Sequence, residues 1–184
     1  MNKAIFLDRD GVINKDLSYV YKKEDLFLLD NVIEGLKELK AQGYFLIVIS
    51  NQSGVARGFF KEEDVRSFHE EIQHRLIENN CSVDAFYYCP HYVKGVVEKY
   101  SIECNCRKPK TGLVEKARKD FDLDLGECVV VGDKVSDMEL AKNIGCMGIQ
   151  IQGNYPLSTD YPVKKDLLEV SEYVKEITTF RIKS

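Results

Sequence analysis

A chain of 184 residues, 44% hydrophobic and 30% charged, is long enough to bury a substantial core and needs no second domain. Its net charge of -4 gives no basic footprint for nucleic acid, so acidic phosphate esters would have to be recruited by local cations. No apolar run approaches the ~20 residues of a membrane helix, and because Met1 to Ile5 lead straight into a strand, a secretory leader is not expected. A cytoplasmic monomer is the expectation.

Lys3 to Asp8 reads as a buried strand that runs into Asp8-Arg9-Asp10-Gly11. It delivers one carboxylate at its end and a second just beyond, with the glycine letting the backbone turn. Such a pair can hold a divalent cation in the crevice where open α/β sheets bind ligands, or merely start a turn. Lys15 to Val20 is a loop able to touch substrate, or an ordinary surface loop. Asp30 or Asn31 can cap a helix carrying Val32, Leu36 and Leu39 at helical spacing, with Gly43 at its end. Tyr44 to Ile49 is a continuous apolar run, as in a strand buried on both faces, and it ends at Ser50-Asn51. The Ser50 hydroxyl can donate to a phosphoryl oxygen, and Asn51, Gln52, Ser53 and Gly54 offer further donors.

Lys61 to Asn79 reads as an amphipathic helix with Val65, Phe68, Ile72 and Leu76 on one face. His69 and His74 sit on it at no metal-ligand spacing and are expected on its surface. After a strand candidate at Ala85 to Tyr88 come Cys89-Pro90-His91 and Cys104-Asn105-Cys106, a Cys₃His set suited to tetrahedral zinc. All four ligands come from protein, so the site (loop 89–106) would be closed and structural. Cys81, Cys128 and Cys146 show no pairing pattern and are expected to be buried apolar residues.

Arg107-Lys108-Pro109-Lys110 places three cations directly after the last zinc ligand, suited to gripping an acidic substrate or forming a solvated face. Thr111 can cap the following helix. Glu127 to Asp133 is another buried strand ending in an acid; Ser136 and Glu139 form a capping box for a helix that stops near Gly145. Asp137, one turn on, could orient Lys134 or a metal-bound water, or be a surface acid. Met147 to Gln152 is the last strand candidate, and Leu167, Val170 and Val174 lie in phase on a helical run in the remainder through Ser184.

Asp8-Arg9-Asp10-Gly11-Val12-Ile13-Asn14 resembles the first motif of the haloacid-dehalogenase-like phosphatases, Ser50 the second, Lys108 the third and Val131-Gly132-Asp133-Lys134 with Asp137 the fourth. The resemblance implies that Asp8 is the nucleophile and Asp10 a general acid/base. Ser50 and Lys108 would stabilise the phosphoryl group. Magnesium would be bound by the Asp8 side chain, the Asp10 carbonyl and Asp133. Strands alternating with helices imply a three-layer Rossmann-like parallel sheet with helices on both faces and the Asp8 strand between those of Ser50 and Asp133. Neither gap between the motifs is long enough for a separate cap domain, so one phosphatase domain is expected over 1–184, with an open pocket roofed by short loops.

Asn14-x-Asp16-x-x-Tyr19-Val20, Gln52 to Gly58 and the Cys-x-His…Cys-x-Cys-Arg-Lys-Pro order narrow the resemblance to the branch that removes the C7 phosphate of heptose 1,7-bisphosphates. That reaction leads to lipopolysaccharide core or nucleotide-activated heptose. Asp16, Tyr19, Asn51, Gln52, Ser53, Arg107 and Lys134 would then face a small phosphorylated sugar. Ser18 stands where that branch usually has glycine, and histidinol-phosphate phosphatases share the zinc loop. A phosphoacceptor signalling domain also carries an aspartate at a strand end, and a zinc-stabilised binding module with an inactive site is a third reading.

Overall fold

The computed structural model describes residues 1–183. Strands β1 (Ala4–Leu7), β2 (Phe45–Asn51), β3 (Ala85–Cys89), β4 (Val129–Gly132), β5 (Met147–Ile151) and β6 (Val163–Lys164) form one parallel sheet in the order β3-β2-β1-β4-β5-β6. Helices α1 (Val32–Ala41), α2 (Glu62–Glu78), α3 (Gly112–Phe121), α4 (Val135–Ile144) and α5 (Leu167–Lys183) cover its faces.

Alternation along the strands explains the layering. Ile5 and Leu7 of β1 face a core shared with Leu36 and Leu39 of α1, Phe68 and Ile72 of α2, and Val170 and Val174 of α5. Ala4 and Phe6 face the opposite core with Val114 and Ala117 of α3 and Leu140 and Ala141 of α4. With both faces covered, the strands are continuous apolar runs.

From β1 the chain winds outward through β2 and β3, then crosses back to β4 on the other side of β1. That reversal opens a crevice at the carboxyl ends of β1 and β4, where ligands bind in such sheets. The expected order, with the Asp8 strand between those of Ser50 and Asp133, is the one observed. The two-residue edge strand β6 carries too little pattern to be anticipated from sequence.

Several local expectations are corrected. Asn31 precedes α1 with a left-handed backbone (φ 59°) and makes no cap bond; its amide donates instead to Asp166 Oδ2 at 2.7 Å. Thr111 likewise makes no side-chain cap. Helix α4 starts before Ser136: its N-cap is Lys134, whose amide donates to Asp137 Oδ2 at 3.2 Å. His69 is buried rather than on the helix surface, whereas His74 is exposed. Cys81 and Cys128 are buried, but Cys146 is only half-buried. Ser184, where the helical remainder was expected to end, lies outside the described residues.

Candidate active site

The floor of the crevice is made by strand ends. The Asp8 amide donates to Val131 O at 2.9 Å, which carries the β1–β4 pairing one residue beyond the strand and fixes the Asp8 backbone. Its carboxylate is turned by the Arg9 amide, 2.8 Å from Oδ1, and by Lys108 Nζ, 2.9 Å from the same oxygen. Oδ2 has no hydrogen bond among the described residues and lies 3.8 Å from Lys134 Nζ. Burial pushes the Asp8 carboxyl up, but Lys108 and Lys134 outweigh it and hold the group below the usual carboxylate range. A charged carboxylate with one oxygen free is what a nucleophile requires.

Lys108 is buried and reaches Asp8, Asp137 Oδ1 at 2.6 Å and the Ile49 carbonyl at 2.8 Å, one acceptor for each ammonium hydrogen. Burial opposes its charge, yet Asp137 and Asp8 hold it above the ordinary lysine range. Burial raises Asp137 only to about 6, so the pair is ionic at neutral pH. Asp137 thus orients Lys108 with one oxygen and caps α4 with the other.

Asp133 completes the floor. Its Oδ1 is buried without a hydrogen-bond partner, 3.7 Å from Lys134 Nζ, and burial raises its carboxyl to about 7. Oxygens of Asp8, Asp133 and Asp137 lie within 4.8 Å of one another. Carboxylates that close repel by at least about 3 kcal/mol per pair at an effective dielectric of 20. An orphaned buried oxygen in an all-oxygen donor set fits a magnesium ion. Gly11 is required here: its φ is +85°, and a Cβ would collide with the Asp133 carboxylate.

Asp10 stands opposite, on the pocket wall. Arg9 grips both of its oxygens through Nη2 at 3.0 Å, Asn14 Nδ2 donates to Oδ1 at 2.9 Å, and Gln52 Nε2 donates to Oδ2 at 3.2 Å. Gln52 also donates to Ser50 Oγ at 2.6 Å, which leaves the Ser50 hydrogen to point elsewhere. Asn51 is engaged with the Lys108 backbone, accepting from its amide at 2.9 Å and donating to its carbonyl at 3.2 Å. It holds the lysine in place and does not face the crevice as a free donor.

The rim is built from loops. Cys89, His91, Cys104 and Cys106 converge, with Cys106 Sγ 3.0 Å and Cys104 Sγ 3.6 Å from Cys89 Sγ, and His91 Nδ1 3.2 Å from Cys106 Sγ. A tetrahedron with Zn–S bonds of ~2.3 Å has edges of about 3.7 Å, so the cluster can hold a metal with little movement. Lys110 Nζ donates to the Cys104 carbonyl at 2.8 Å. The loop then docks on the segment after β2, the Val96 and Val97 amides both donating to Ala56 O at 2.8 and 3.0 Å.

This docking brings two arginines onto one ring. Arg57 lies 4.0 Å and Arg107 5.3 Å from the Tyr92 ring centre, and Arg57 is 5.7 Å from that of Tyr19. Neither arginine has a carboxylate partner among the described residues, and Arg57 Nε is buried with no acceptor. Across the crevice Lys134 Nζ pairs with Asp16 Oδ2 at 3.2 Å, which also accepts from Tyr155 Oη at 3.0 Å. Ser18 and Tyr19 both have φ of +58°, which explains why glycine is favoured at position 18.

Comparison with known proteins agrees with this geometry. The family described as polynucleotide kinase 3 phosphatase matches residues 4–156. D-glycero-beta-D-manno-heptose-1,7-bisphosphate 7-phosphatase of Haemophilus influenzae is 40% identical over 174 residues, covering 95% of this chain and 91% of the relative. The chain belongs to the haloacid-dehalogenase-like phosphatases.

As a member it is a hydrolase of phosphate esters. A D-glycero-alpha-D-manno-heptose-1,7-bisphosphate 7-phosphatase of Photorhabdus laumondii is also 40% identical, over 143 residues and 78% of each chain. Among solved structures, D,D-heptose 1,7-bisphosphate phosphatase from B. bronchiseptica, complexed with magnesium and phosphate, has a TM-score of 0.82 at 29% identity, covering 96% of this chain and 99% of that one. Among the described residues no helix is long and apolar enough to cross a membrane.

The structure brings together Asp8, Asp10, Ser50, Lys108, Asp133 and Lys134 around the crevice, with Asp16 beside Lys134 on one side and Tyr19 beside Arg57, with Arg107, at the rim. The Ser53 carbonyl accepts from the Arg57 amide at 3.0 Å, so its backbone helps seat that arginine. Sequence reasoning missed Arg57 and Tyr92. The clue to Arg57 was its place in Gln52 to Gly58; nothing marks Tyr92 until the 89–106 loop folds against that segment.

Proposed function

We propose that this phosphatase removes the C7 phosphate of D-glycero-D-manno-heptose 1,7-bisphosphate with Asp8 as nucleophile and Asp10 as acid and base. The observation that carries the substrate is the Arg57–Tyr92–Arg107 rim, two guanidinium groups without a counter-carboxylate, set apart from the phosphoryl-binding lysine. A substrate with one phosphate on the floor and a second at the rim answers both sets of cations. The relatives that share most of this chain's length act, by name, on such a bisphosphate.

In the first step a carboxylate oxygen of Asp8 attacks phosphorus, the bond to the sugar oxygen breaks, and Asp10 gives that oxygen a proton. Lys108 and the Ser50 hydroxyl hold the phosphoryl oxygens as charge shifts among them. In the second step Asp10, now ionised, takes a proton from water, which attacks the phosphorus of the aspartyl phosphate and frees Asp8 and inorganic phosphate. Magnesium held by Asp8, the Asp10 carbonyl and Asp133 would supply charge neutralisation on the floor. The Cys₃His cluster would hold zinc and take no part in either step.

Phosphate release from the alpha and beta heptose bisphosphates and from histidinol phosphate, each with and without added magnesium, tests the reading. Magnesium-dependent turnover of one heptose anomer is expected. A preference for histidinol phosphate would overturn the substrate while leaving the roles of Asp8 and Asp10 intact.

A further inference from the structure

We propose that His69 on α2 is a positioning residue for Asp10, acting through the buried guanidinium of Arg9, so that α2 sets the geometry in which the leaving group is protonated. This rests on the reading of Asp10 as the acid.

Arg9 follows the nucleophile directly, yet its side chain is 1% exposed and does not enter the crevice. Nε donates to Asp10 Oδ1 at 3.2 Å, and Nη2 donates to both Asp10 oxygens and to the Val20 carbonyl, the last at 2.9 Å. That leaves Nη1. Among the described residues its acceptor is His69 Nε2, at 3.5 Å. A buried charged donor left unsatisfied is costly, so this contact is the guanidinium's remaining anchor even though it is long.

The histidine is built to stay in place. Its ring stacks on Phe86 of β3 at 4.6 Å and 17°, and meets Tyr88 edge-on at 5.7 Å. Phe68, the preceding residue, lies 4.6 Å beneath the guanidinium carbon. Two successive side chains of α2 therefore bracket Arg9, one on its face and one at its end. Burial and the neighbouring Arg9 hold His69 well below the ordinary histidine range, so the ring is neutral, and with its one proton on Nδ1 the Nε2 facing Arg9 accepts. With the far end of the guanidinium fixed, its near end fixes the plane of the Asp10 carboxylate. Asn14 and Gln52 alone would each hold one oxygen and leave that plane free to rock.

The test separates positioning from stability by leaving group. The ratio kcat/KM covers the steps up to departure of the leaving group, and nitrophenolate departs without needing a proton whereas a sugar alkoxide does. His69→Phe keeps a ring against Phe86 but has no acceptor; His69→Gln offers an amide oxygen near the place of Nε2; Arg9→Lys keeps the charge but cannot bridge Asp10 and His69. We expect His69→Phe to lower kcat/KM for the sugar phosphate about tenfold while p-nitrophenyl phosphate changes by less than about twofold. Arg9→Lys should show the same selectivity, and His69→Gln should recover most of the loss. Asp10→Asn, run alongside, should show the selective loss in larger degree. Equal losses on both substrates in His69→Phe and Arg9→Lys, or no loss on either, would overturn the proposal. If Asp10→Asn itself shows no selectivity, the acid assignment has failed first and the positioning role falls with it.

Discussion

The floor and the rim of the crevice solve one problem, holding a highly charged substrate, with opposite materials. On the floor, Asp8, Asp133 and Lys108 come from or adjoin buried strand ends, and Lys108 reaches the Ile49 carbonyl of β2. Their charges are internally matched apart from one orphaned oxygen on Asp133. At the rim, Arg57 and Arg107 stand on loops without carboxylate partners, and the loop bearing Tyr92 is tied down by a metal-type cluster and by two amides on Ala56 O. The floor is poised for chemistry by the sheet. The rim is left short of negative charge, which the substrate brings.

Breaking the floor should have the largest effect. Asp8→Asn keeps the shape and removes the nucleophile, so turnover should fall by at least about 10⁴-fold. Metal content at the Cys89, His91, Cys104 and Cys106 cluster proposed to hold zinc should match that of the unaltered chain, and the melting temperature should move by only a few degrees. Retained turnover would remove Asp8 from its role.

Breaking the rim should change recognition more than chemistry. Stripping the metal from Cys89, His91, Cys104 and Cys106 removes the anchor of the loop through 106, so limited proteolysis should cut between 92 and 103 while the sheet stays protected. KM for the bisphosphate should rise well before kcat falls. Arg57→Ala is the sharper probe. A charge-assisted contact to phosphate contributes about 1.5–3 kcal/mol, so KM should rise about 10- to 100-fold. A sugar monophosphate lacking the second phosphate should barely notice. Equal losses on the two substrates would mean that Arg57 supports the loop and does not grip the ligand.

The contrast also explains what could be read from sequence. Strand ends announce themselves, because a buried apolar run that stops at Asp8, Ser50 or Asp133 has one place to put that side chain. The zinc-type ligands were legible for a related reason, since their spacing is set by metal geometry within short segments. His69 was not: it lies in phase with Val65, Ile72 and Leu76, but a lone polar ring on that stripe names no partner until β3 supplies Phe86 beside it and Arg9 reaches its Nε2. Nor were the caps of α1 and α4: Asn31 donates to Asp166 across the fold, and the box of α4 runs from Lys134 to Asp137, two positions before the Ser136–Glu139 pair that the local pattern suggests. For His69 and Asn31, what was lost was a contact between segments distant in sequence.

The smallest effect tests the one mismatch on the floor. Burial raises the Asp133 carboxyl to about 7 in the folded chain, against 3.8 for the free group. Below the lower value both states are protonated and Asp133 contributes nothing to the pH dependence. Between the two the unfolded chain has lost its proton and the folded one has kept it, so stability falls as pH rises; above the upper value the full cost, of the order of 4 kcal/mol before solvent relaxation, is in place. A divalent ion that pairs with Asp133 should cancel that cost where the carboxylate is ionised. Added magnesium is therefore expected to raise the melting temperature by several degrees at pH 8 and by much less at pH 5, and Asp133→Asn should abolish the difference. An equal magnesium effect at both pH values would place the ion's stabilising contact away from Asp133, and the orphaned oxygen would need another partner.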